Sequence, residues 1–344
     1  METDIIDRSK IELISAYDNK ECVLFISEDS LDDILLAIFD VFINGNSISV
    51  HSTKGNNHEV FGVLIELKNP RDRLSRSELK GTIFSCLGEL CWYLSGSKEL
   101  SEIEYYLTKY KEYSDDGKTI YGGYGPRILG DQKWPNQLDN IVKLLKSKTF
   151  TRQAVIQLFD ATDLEHPHND IPCTNTIQLV IRDNQLHMMV NMRSNDIYRG
   201  LPHDIFCFTM LQEIIANKLE VSLGSYKHSV GSLHLYDSDI ELVNSHLKVG
   251  FYNSMPMPNM PLKDFDNSLK NFLKLEKELK ENKNLNLDID LDEYWIDLLI
   301  LLKIFSIVKN SDETNNFEKV KTLKEKLNNK NYFIYVEKQI EKLI

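Results

Sequence analysis

Arg193-Ser194-Asn195-Asp196, followed after three residues by Gly200-Leu201-Pro202-His203-Asp204 and preceded by Pro172-Cys173 twenty residues ahead of the arginine, is the stretch on which the reading of this 344-residue chain turns. Cys173 ends a polar, loop-like run, Asn169-Asp170-Ile171-Pro172, just before a β-branched segment. A thiol in that setting can be exposed and have its pKa lowered by neighbouring cations. Arg193 offers a guanidinium fork that matches phosphate oxygens, and Ser194 beside it a hydroxyl that can donate to the same anion. Asp204 stands just ahead of an apolar run, where it reads either as the N-cap of a helix over 205–218 or as a polar group shown to a ligand.

Working outward, the chain alternates strand-like and helical segments. At 29–44, Leu31, Ile34, Leu35, Ile38, Phe39 and Phe42 recur at helical spacing, with Asp29 or Ser30 as cap and Asn44-Gly45 as stop. Residues 60–67 read as a strand and 78–94 as a helix carrying Ile83, Leu87, Leu90 and Trp92. Residues 97–140, punctuated by Asp115-Asp116-Gly117, Gly122-Gly123 and Gly125-Pro126, read as short helices and turns over a surface site. Segments 152–159 and 176–193 are β-branched and apolar, and Asp183-Asn184 supplies a two-residue hairpin turn. The helix at 205–218 and a strand at 232–236 follow. Beyond about residue 263 the composition turns to Lys, Asn, Leu and Glu, with Trp295, Leu298, Leu301, Leu302 and Phe305 at helical spacing. This predicts a catalytic domain over 1–262 and a helical C-terminal appendage over 263–344.

Composition narrows the classes. The formal net charge of −12 repels a polyanion, so a nucleic acid is excluded as a partner, while one phosphate in a local basic pocket is compatible with it. The first residues lack a basic leader, and no apolar run approaches the roughly 18 residues of a membrane span, so a cytoplasmic protein without a membrane partner is expected. Cys22, Cys86, Cys91, Cys173 and Cys207 show no paired spacing and are expected as free thiols. His166 and His168 lack a clear third ligand, so no metal site is expected.

Four ordered signatures, Pro172-Cys173, Arg193-Ser194-Asn195-Asp196, Gly200-Leu201-Pro202-His203-Asp204 and Gly231-Ser232-Leu233-His234-Leu235-Tyr236, resemble those of the thymidylate synthase superfamily. Upstream, Gly88-Glu89-Leu90-Cys91-Trp92-Tyr93-Leu94 is similar to the family's glutamate-bearing helix, and Tyr124-Gly125 to its tyrosine-glycine pair. The likeness covers roughly residues 50–240. It implies the mixed α/β (α+β) fold of that family, a large mixed sheet packed with helices. By the resemblance, Cys173 would add to C6 of a pyrimidine nucleoside monophosphate, activating C5 toward 5,10-methylenetetrahydrofolate. Glu89 and Tyr124 would manage protons. Arg193 and Ser194 would hold the 5′-phosphate, joined by Arg152 from the partner of a homodimer and, less cleanly matched, by Lys54. Asp196 would join the substrate site, and His234 and Tyr236 would bind the sugar. Tyr110 and Tyr113 stand where the family has tryptophans facing the folate.

Departures from the family pattern bear on the reaction. Asp204 occupies the position of the asparagine that reads uracil. Ionised, a carboxylate only accepts hydrogen bonds, which suits the N4 amino group of cytosine, and an aspartate could also hold a proton onto N3. The same exchange resembles the cytidylate and deoxycytidylate hydroxymethylases of the superfamily. Thr174 follows the cysteine where synthases have histidine, and a long helical segment stands in place of the short closing tail, which would admit water and give a 5-hydroxymethyl product. Two alternatives stand beside this reading: a divergent thymidylate synthase acting on dUMP, and a non-catalytic nucleotide-binding homologue.

Overall fold

The computed structural model describes residues 11–15, 22–45, 47–52, 55–77, 82–250, 252–281, 285–309 and 315–343. Its elements run β1 (Ile11–Ser15), β2 (Cys22–Glu28), α1 (Leu31–Ile43), β3 (Ile48–Ser52), β4 (Gly55–Leu67), α2 (Ile83–Ser95), α3 (Leu100–Glu104), α4 (Tyr124–Leu129) and α5 (Gln137–Ser147). They continue as β5 (Val155–Gln157), β6 (Thr174–Arg182), β7 (Gln185–Asp196), α6 (Gly200–Leu219), β8 (Ser222–Tyr236) and α7 (Ile240–Val249). The last four helices are α8 (Phe265–Glu281), α9 (Glu293–Lys309), α10 (Asn316–Glu325) and α11 (Phe333–Glu341). Among the described residues the strands form one mixed sheet in the order β1-β2-β4-β8-β7-β6-β5, with β3 added on β4. β2/β4 and β7/β8 run parallel, and the other pairs antiparallel.

One face of this sheet is the floor of the core. Successive side chains of a strand alternate between faces, so Ile177, Leu179 and Ile181 of β6 and Leu186, Met188, Val190 and Met192 of β7 point together into the interior. The residues between them are half-buried on the opposite face, which no described helix covers. α6 lies on the inner face against β7, β8 and α2, with Phe206, Cys207 and Phe208 fully buried. Its placement brings the Arg193 and Asp204 segments, at the end of β7 and the start of the helix, beside α2.

Several sequence expectations match the fold closely. Ser30 caps α1, its hydroxyl accepting from the Asp33 N–H at 3.1 Å, and Asn44 ends it. Asp183 and Asn184 both adopt left-handed φ angles, 48° and 58°, as a two-residue hairpin turn requires. Other boundaries move. The strand expected at 152–159 is confined to Val155–Gln157, while that at 232–236 begins ten residues earlier as β8, because Gly224 to Val230 alternate buried and half-buried as cleanly as the later residues. The helix expected from 78 begins at Ile83, and residues 78–81 lie outside the described part.

The C-terminal helices pack on the same core. α9 is buried on nearly every side, with Trp295, Leu298 and Leu301 at 1% exposure or less, and it contacts α2, α8, α10 and α11. Tyr335 Oη donates to the Ser75 carbonyl at 3.1 Å, and Lys309 Nζ to that of Tyr105. Beneath them Arg73, wholly buried, donates to Glu213 of α6 at 2.5 Å, and Arg71 to the same carboxylate at 2.8 Å.

Candidate active site

Cys173 sits at the last loop position before β6, and the pairing of β6 with β7 shifts register between Thr174 and Thr176 directly after it. Such a bulge bends the strand end and re-aims its side chains. The loop that delivers the thiol is tied down from several sides. Asp115 accepts from the Asn169 N–H at 2.7 Å and lies 2.6 Å from His168 Nδ1, while the His168 ring stacks on Tyr121 at 3.5 Å. Farther back, Arg127 grips buried Asp163 through both guanidinium nitrogens, at 2.7 and 2.8 Å.

Arg193 crosses from β7 to this loop. Its Nε donates to the Pro172 carbonyl at 3.0 Å, one terminal nitrogen to the Ile171 carbonyl at 3.1 Å, and the same nitrogen lies 3.6 Å from Cys173 Sγ. On the other side of Cys173, buried Thr174 donates through its N–H and its hydroxyl to Tyr124 Oη, each at 3.0 Å. Burial, and then the neighbouring Cys173 and Asp204, hold the Tyr124 hydroxyl well above its ordinary pKa, so it is a phenol at neutral pH.

Glu89 is 6% exposed on α2, so it is not a solvent-facing helix glutamate. It accepts hydrogen bonds from Tyr93 at 3.0 Å and Tyr110 at 2.7 Å. Tyr110 meets Trp92 and Tyr113 edge-on, at ring separations of 5.4 and 5.5 Å. The Tyr113 hydroxyl is pushed up to about 12 by burial, then by Asp170, Glu112, Tyr236 and Asp196. Trp92, Tyr110 and Tyr113 thus form an aromatic wall leading from Glu89 toward Tyr236 and Asp196.

Asp204 corrects one expectation. It does not cap α6: the helix starts at Gly200 with Arg199 in the cap position, which leaves Asp204 inside the helix. Its charged form is disfavoured. Although one side keeps partial access to solvent, burial and then the charge of Glu89 push its carboxyl well above the ordinary range, against the opposing effects of His203 and a hydrogen bond with Asn195. The dense protein around it penalises a second negative charge next to Glu89. An un-ionised carboxyl both donates and accepts.

The remaining expected residues divide. Asp196 closes the turn from β7 into α6 by accepting from the N–H groups of Tyr198 at 2.8 Å and Arg199 at 3.1 Å. His234 pairs with Asp196 across the β7/β8 register, and its ring meets Tyr236 edge-on at 5.1 Å. Burial, then Asp196 and Cys173, raise the Tyr236 hydroxyl, which places it toward the thiol. Ser194 is half-buried beside Ser232. Arg152 is not brought here: exposed, just ahead of β5, it lies at the end of the antiparallel β5/β6 pair remote from Cys173. Lys54 lies outside the described residues.

Sequence reasoning missed the layer behind Asp204. Asn195 Nδ2 lies 3.0 Å from His228 Nε2 and 3.2 Å from Met192 Sδ, and His228 Nδ1 lies 2.7 Å from Tyr226 Oη. All are buried, and the signal was present in the inward alternation of Tyr226 and His228 along β8. Among the described residues no group of three or more His, Cys, Asp or Glu side chains is placed to hold a metal ion, and no helix is long and apolar enough to cross a membrane.

Comparison with known proteins agrees with this arrangement. The chain is 32% identical over 200 residues to the deoxyuridylate hydroxymethyltransferase of Delftia phage PhiW-14, covering 54% of this chain and 55% of that protein. It is 31% identical over 163 residues to the protein of the same name from Pseudomonas phage M6, covering 46% of each. It is 27% identical over 163 residues to the thymidylate synthase of Buchnera aphidicola subsp. Baizongia pistaciae (strain Bp), covering 44% of this chain and 60% of that one. The chain thus spans about half the length of the curated relatives it matches first. Residues 40–288 match the thymidylate synthase profile, and with the mixed sheet and the Cys173–Arg193–Tyr124 geometry in place, the chain belongs to the thymidylate synthase family.

Proposed function

We propose that the protein transfers a one-carbon unit to C5 of a cytosine nucleoside monophosphate, CMP or dCMP, releasing a 5-hydroxymethyl product. The observation that carries the reading is the convergence on one locus of a thiol touched by a guanidinium, a phenol, a buried glutamate and an aspartate whose carboxyl burial pushes up. The aromatic wall of Trp92, Tyr110 and Tyr113, opening beside Glu89, fits the flat ring of methylenetetrahydrofolate. Bound there, the folate supplies carbon at the oxidation level of formaldehyde.

The chain's own groups account for the remaining steps. Cys173 adds as a thiolate to C6, a charge that the adjacent guanidinium favours, and the electron pair this displaces makes C5 nucleophilic. Once C5 carries the one-carbon unit, its proton leaves by way of Tyr124 or a water held by Glu89. Loss of that proton would expel tetrahydrofolate from the one-carbon unit, water would add to the carbon so exposed, and departure of Cys173 as its thiolate would restore the base. The net reaction takes up one water and involves no oxidation or reduction. Arg193 with Ser194 holds the phosphate, and Asp196, His234 and Tyr236 line the sugar side.

The residues support a homodimer in which Arg152 reaches the partner's phosphate. Arg152 is remote from its own Cys173, and the bare outer face of the sheet carries a hollow of about 380 Å³ lined by Gln178, Val180, Arg182, His187 and Lys227. A cytoplasmic setting belongs to the same reading. For the base, Asp204 in the protonated form that burial favours fits cytosine N4–H and N3, and with its donor and acceptor exchanged fits uracil O4 and N3–H. Deoxyuridylate is therefore the second reading, favoured by the printed names of the phage relatives. Release of C5 tritium from labelled CMP, dCMP, UMP and dUMP, with and without the folate, tests both. Release from a cytosine nucleotide alone supports the first reading, release from dUMP alone the second, and no release from any overturns the proposal.

A further inference from the structure

Asp170 lies three residues ahead of Cys173 and stands outside the groups that hold the nucleotide. Both of its chain neighbours are anchored. Asn169 donates its N–H to Asp115 at 2.7 Å and its side-chain amide to the Ser114 carbonyl, next to Tyr113, at 3.0 Å. The Ile171 carbonyl accepts at 3.1 Å from the Arg193 nitrogen that lies 3.6 Å from Cys173 Sγ. The Asp170 carboxyl itself lies over Gly122, its Oδ2 only 2.6 Å from where a side chain there would begin, a space that a methyl group would contest. Gly122 stands two residues before Tyr124. Asp170 is therefore fixed where the nucleophile loop meets the Tyr113 and Tyr124 segments. Burial, then Glu89, then Asp170 keep the Tyr110 hydroxyl well above its ordinary pKa, which sets Asp170 beside the aromatic wall.

The other acids of the site are engaged. One oxygen of Glu89 accepts from both Tyr93 and Tyr110, and Asp196 accepts the two N–H groups that close the turn into α6. Tyr124 is a phenol, and the charged form of Asp204 is disfavoured. Asp170 is half-buried, so water reaches it.

We propose that Asp170 is the general base that activates the water added in the last stage of the reaction. The inference rests on the hydroxymethyl reading above and names the group that completes it. After the folate has departed, the base carries a methylene group doubly bonded to C5 and Cys173 bonded to C6. A water on the side of the aromatic wall forms the new C–O bond to the methylene carbon as its proton passes to Asp170. The methylene π pair moves into the ring and returns to form the C5–C6 double bond as Cys173 leaves with the S–C pair. Asp170 gives its proton to solvent, and nothing is oxidised or reduced.

Run in reverse and forward again, this step needs no folate, which separates it from cofactor binding. Wild type incubated with 5-hydroxymethyl dCMP, CMP, dUMP or UMP in oxygen-labelled water is expected to exchange the hydroxyl oxygen, read by mass spectrometry, and Cys173→Ala is expected not to. Asp170→Asn is expected to exchange roughly a hundredfold more slowly, while calorimetric nucleotide binding and folate-independent release of C5 tritium stay at wild-type levels. Asp170→Ala is expected to be as slow and to regain exchange with added formate, a carboxylate small enough for the vacated space. Wild-type exchange in Asp170→Asn, loss of its tritium release by the same factor, or an Asp170→Ala that formate does not accelerate overturns the inference. A wild type that exchanges none of the four nucleotides refutes the hydroxymethyl product itself, a failure distinct from that of Asp170.

Discussion

Tyr106 donates its hydroxyl to Glu276 at 2.6 Å, joining the segment that carries Tyr110 to a helix 170 residues farther along the chain. The contact reaches the site in one more step. The Tyr106 ring lies so close over Gly88 that a methyl group there would fall 2.1 Å from it, and Gly88 is the neighbour of Glu89 on α2. Lys280 completes the cluster at 3.0 Å from Glu276, and Phe305 of α9 packs on the Tyr106 ring at 5.2 Å. Two helices of the C-terminal region thus press on the element that presents Glu89.

Glu276→Ala leaves a buried phenol and an ammonium without their shared acceptor, and is expected to cost roughly 2–3 kcal/mol. The denaturant midpoint measures it. Tyr106→Phe keeps the ring over Gly88 and is expected to cost about half as much. Equal stability of wild type and Glu276→Ala would show that the C-terminal helices do not support α2.

Cys173→Ala is expected to lower turnover by roughly four orders of magnitude or more while nucleotide binding stays measurable, because no other group can form the C6 adduct. Steady-state tritium release and calorimetric binding separate the two quantities. Wild-type turnover in Cys173→Ala would remove the covalent mechanism.

Asp204→Asn replaces a carboxyl by an amide that offers a donor and an acceptor to uracil. The preference for cytosine over uracil nucleotides, measured as a ratio of kcat/KM values, is expected to fall by roughly ten- to a hundredfold. An unchanged ratio would show that Asp204 does not read the base.

Because Arg152 stands apart from its own Cys173, inactive Arg152→Ala and inactive Cys173→Ala protomers are expected to regain part of the activity when mixed. Such a heterodimer contains one site with both residues intact. Mixed dimers verified by mass spectrometry but still inactive would rule out a shared site.

Asp32 gives a prediction for pH. Burial, with Asp72 and Asp33 adding, raises its carboxyl to about 6, although the Ser75 hydroxyl and the Arg76 N–H favour the charged form. Below the unfolded pKa of about 4 both states are protonated and the group has no effect on stability. Between about 4 and 6 the unfolded chain releases a proton that the folded one keeps, so stability falls, and above 6 the deficit is constant. Relative to wild type, Asp32→Asn is expected to gain roughly 2–3 kcal/mol on going from pH 4 to pH 7. Urea titrations at the two values check the sign, and a difference that does not change with pH would refute the assigned shift.

The local features of the fold were legible because they are set by nearest neighbours. Ser30 as the cap of α1 and Asp183-Asn184 as a left-handed turn need nothing beyond their own segment. β1 and β3 escaped notice because each is only five residues long and is held as a strand by hairpin pairing with the strand that follows it. In the site, Cys173, Glu89, Tyr124 and Arg193 were legible as residue types in order, and the structure brings them together.

The protonation state of Asp204 was not legible. From the sequence it is an aspartate before an apolar run, and an isolated aspartate is ionised at neutral pH. Its carboxyl is pushed above the ordinary range because the fold buries it and because α2 sets Glu89 beside it. Residue order determined by itself which groups the site possesses, since covalent identity and local backbone preference are properties of the chain. Which of those groups are charged, and in which direction each hydrogen bond runs, the tertiary structure alone decided. Those properties depend on dielectric surroundings and on partners brought together from α2, β7, α6 and β8, and no single segment contains them.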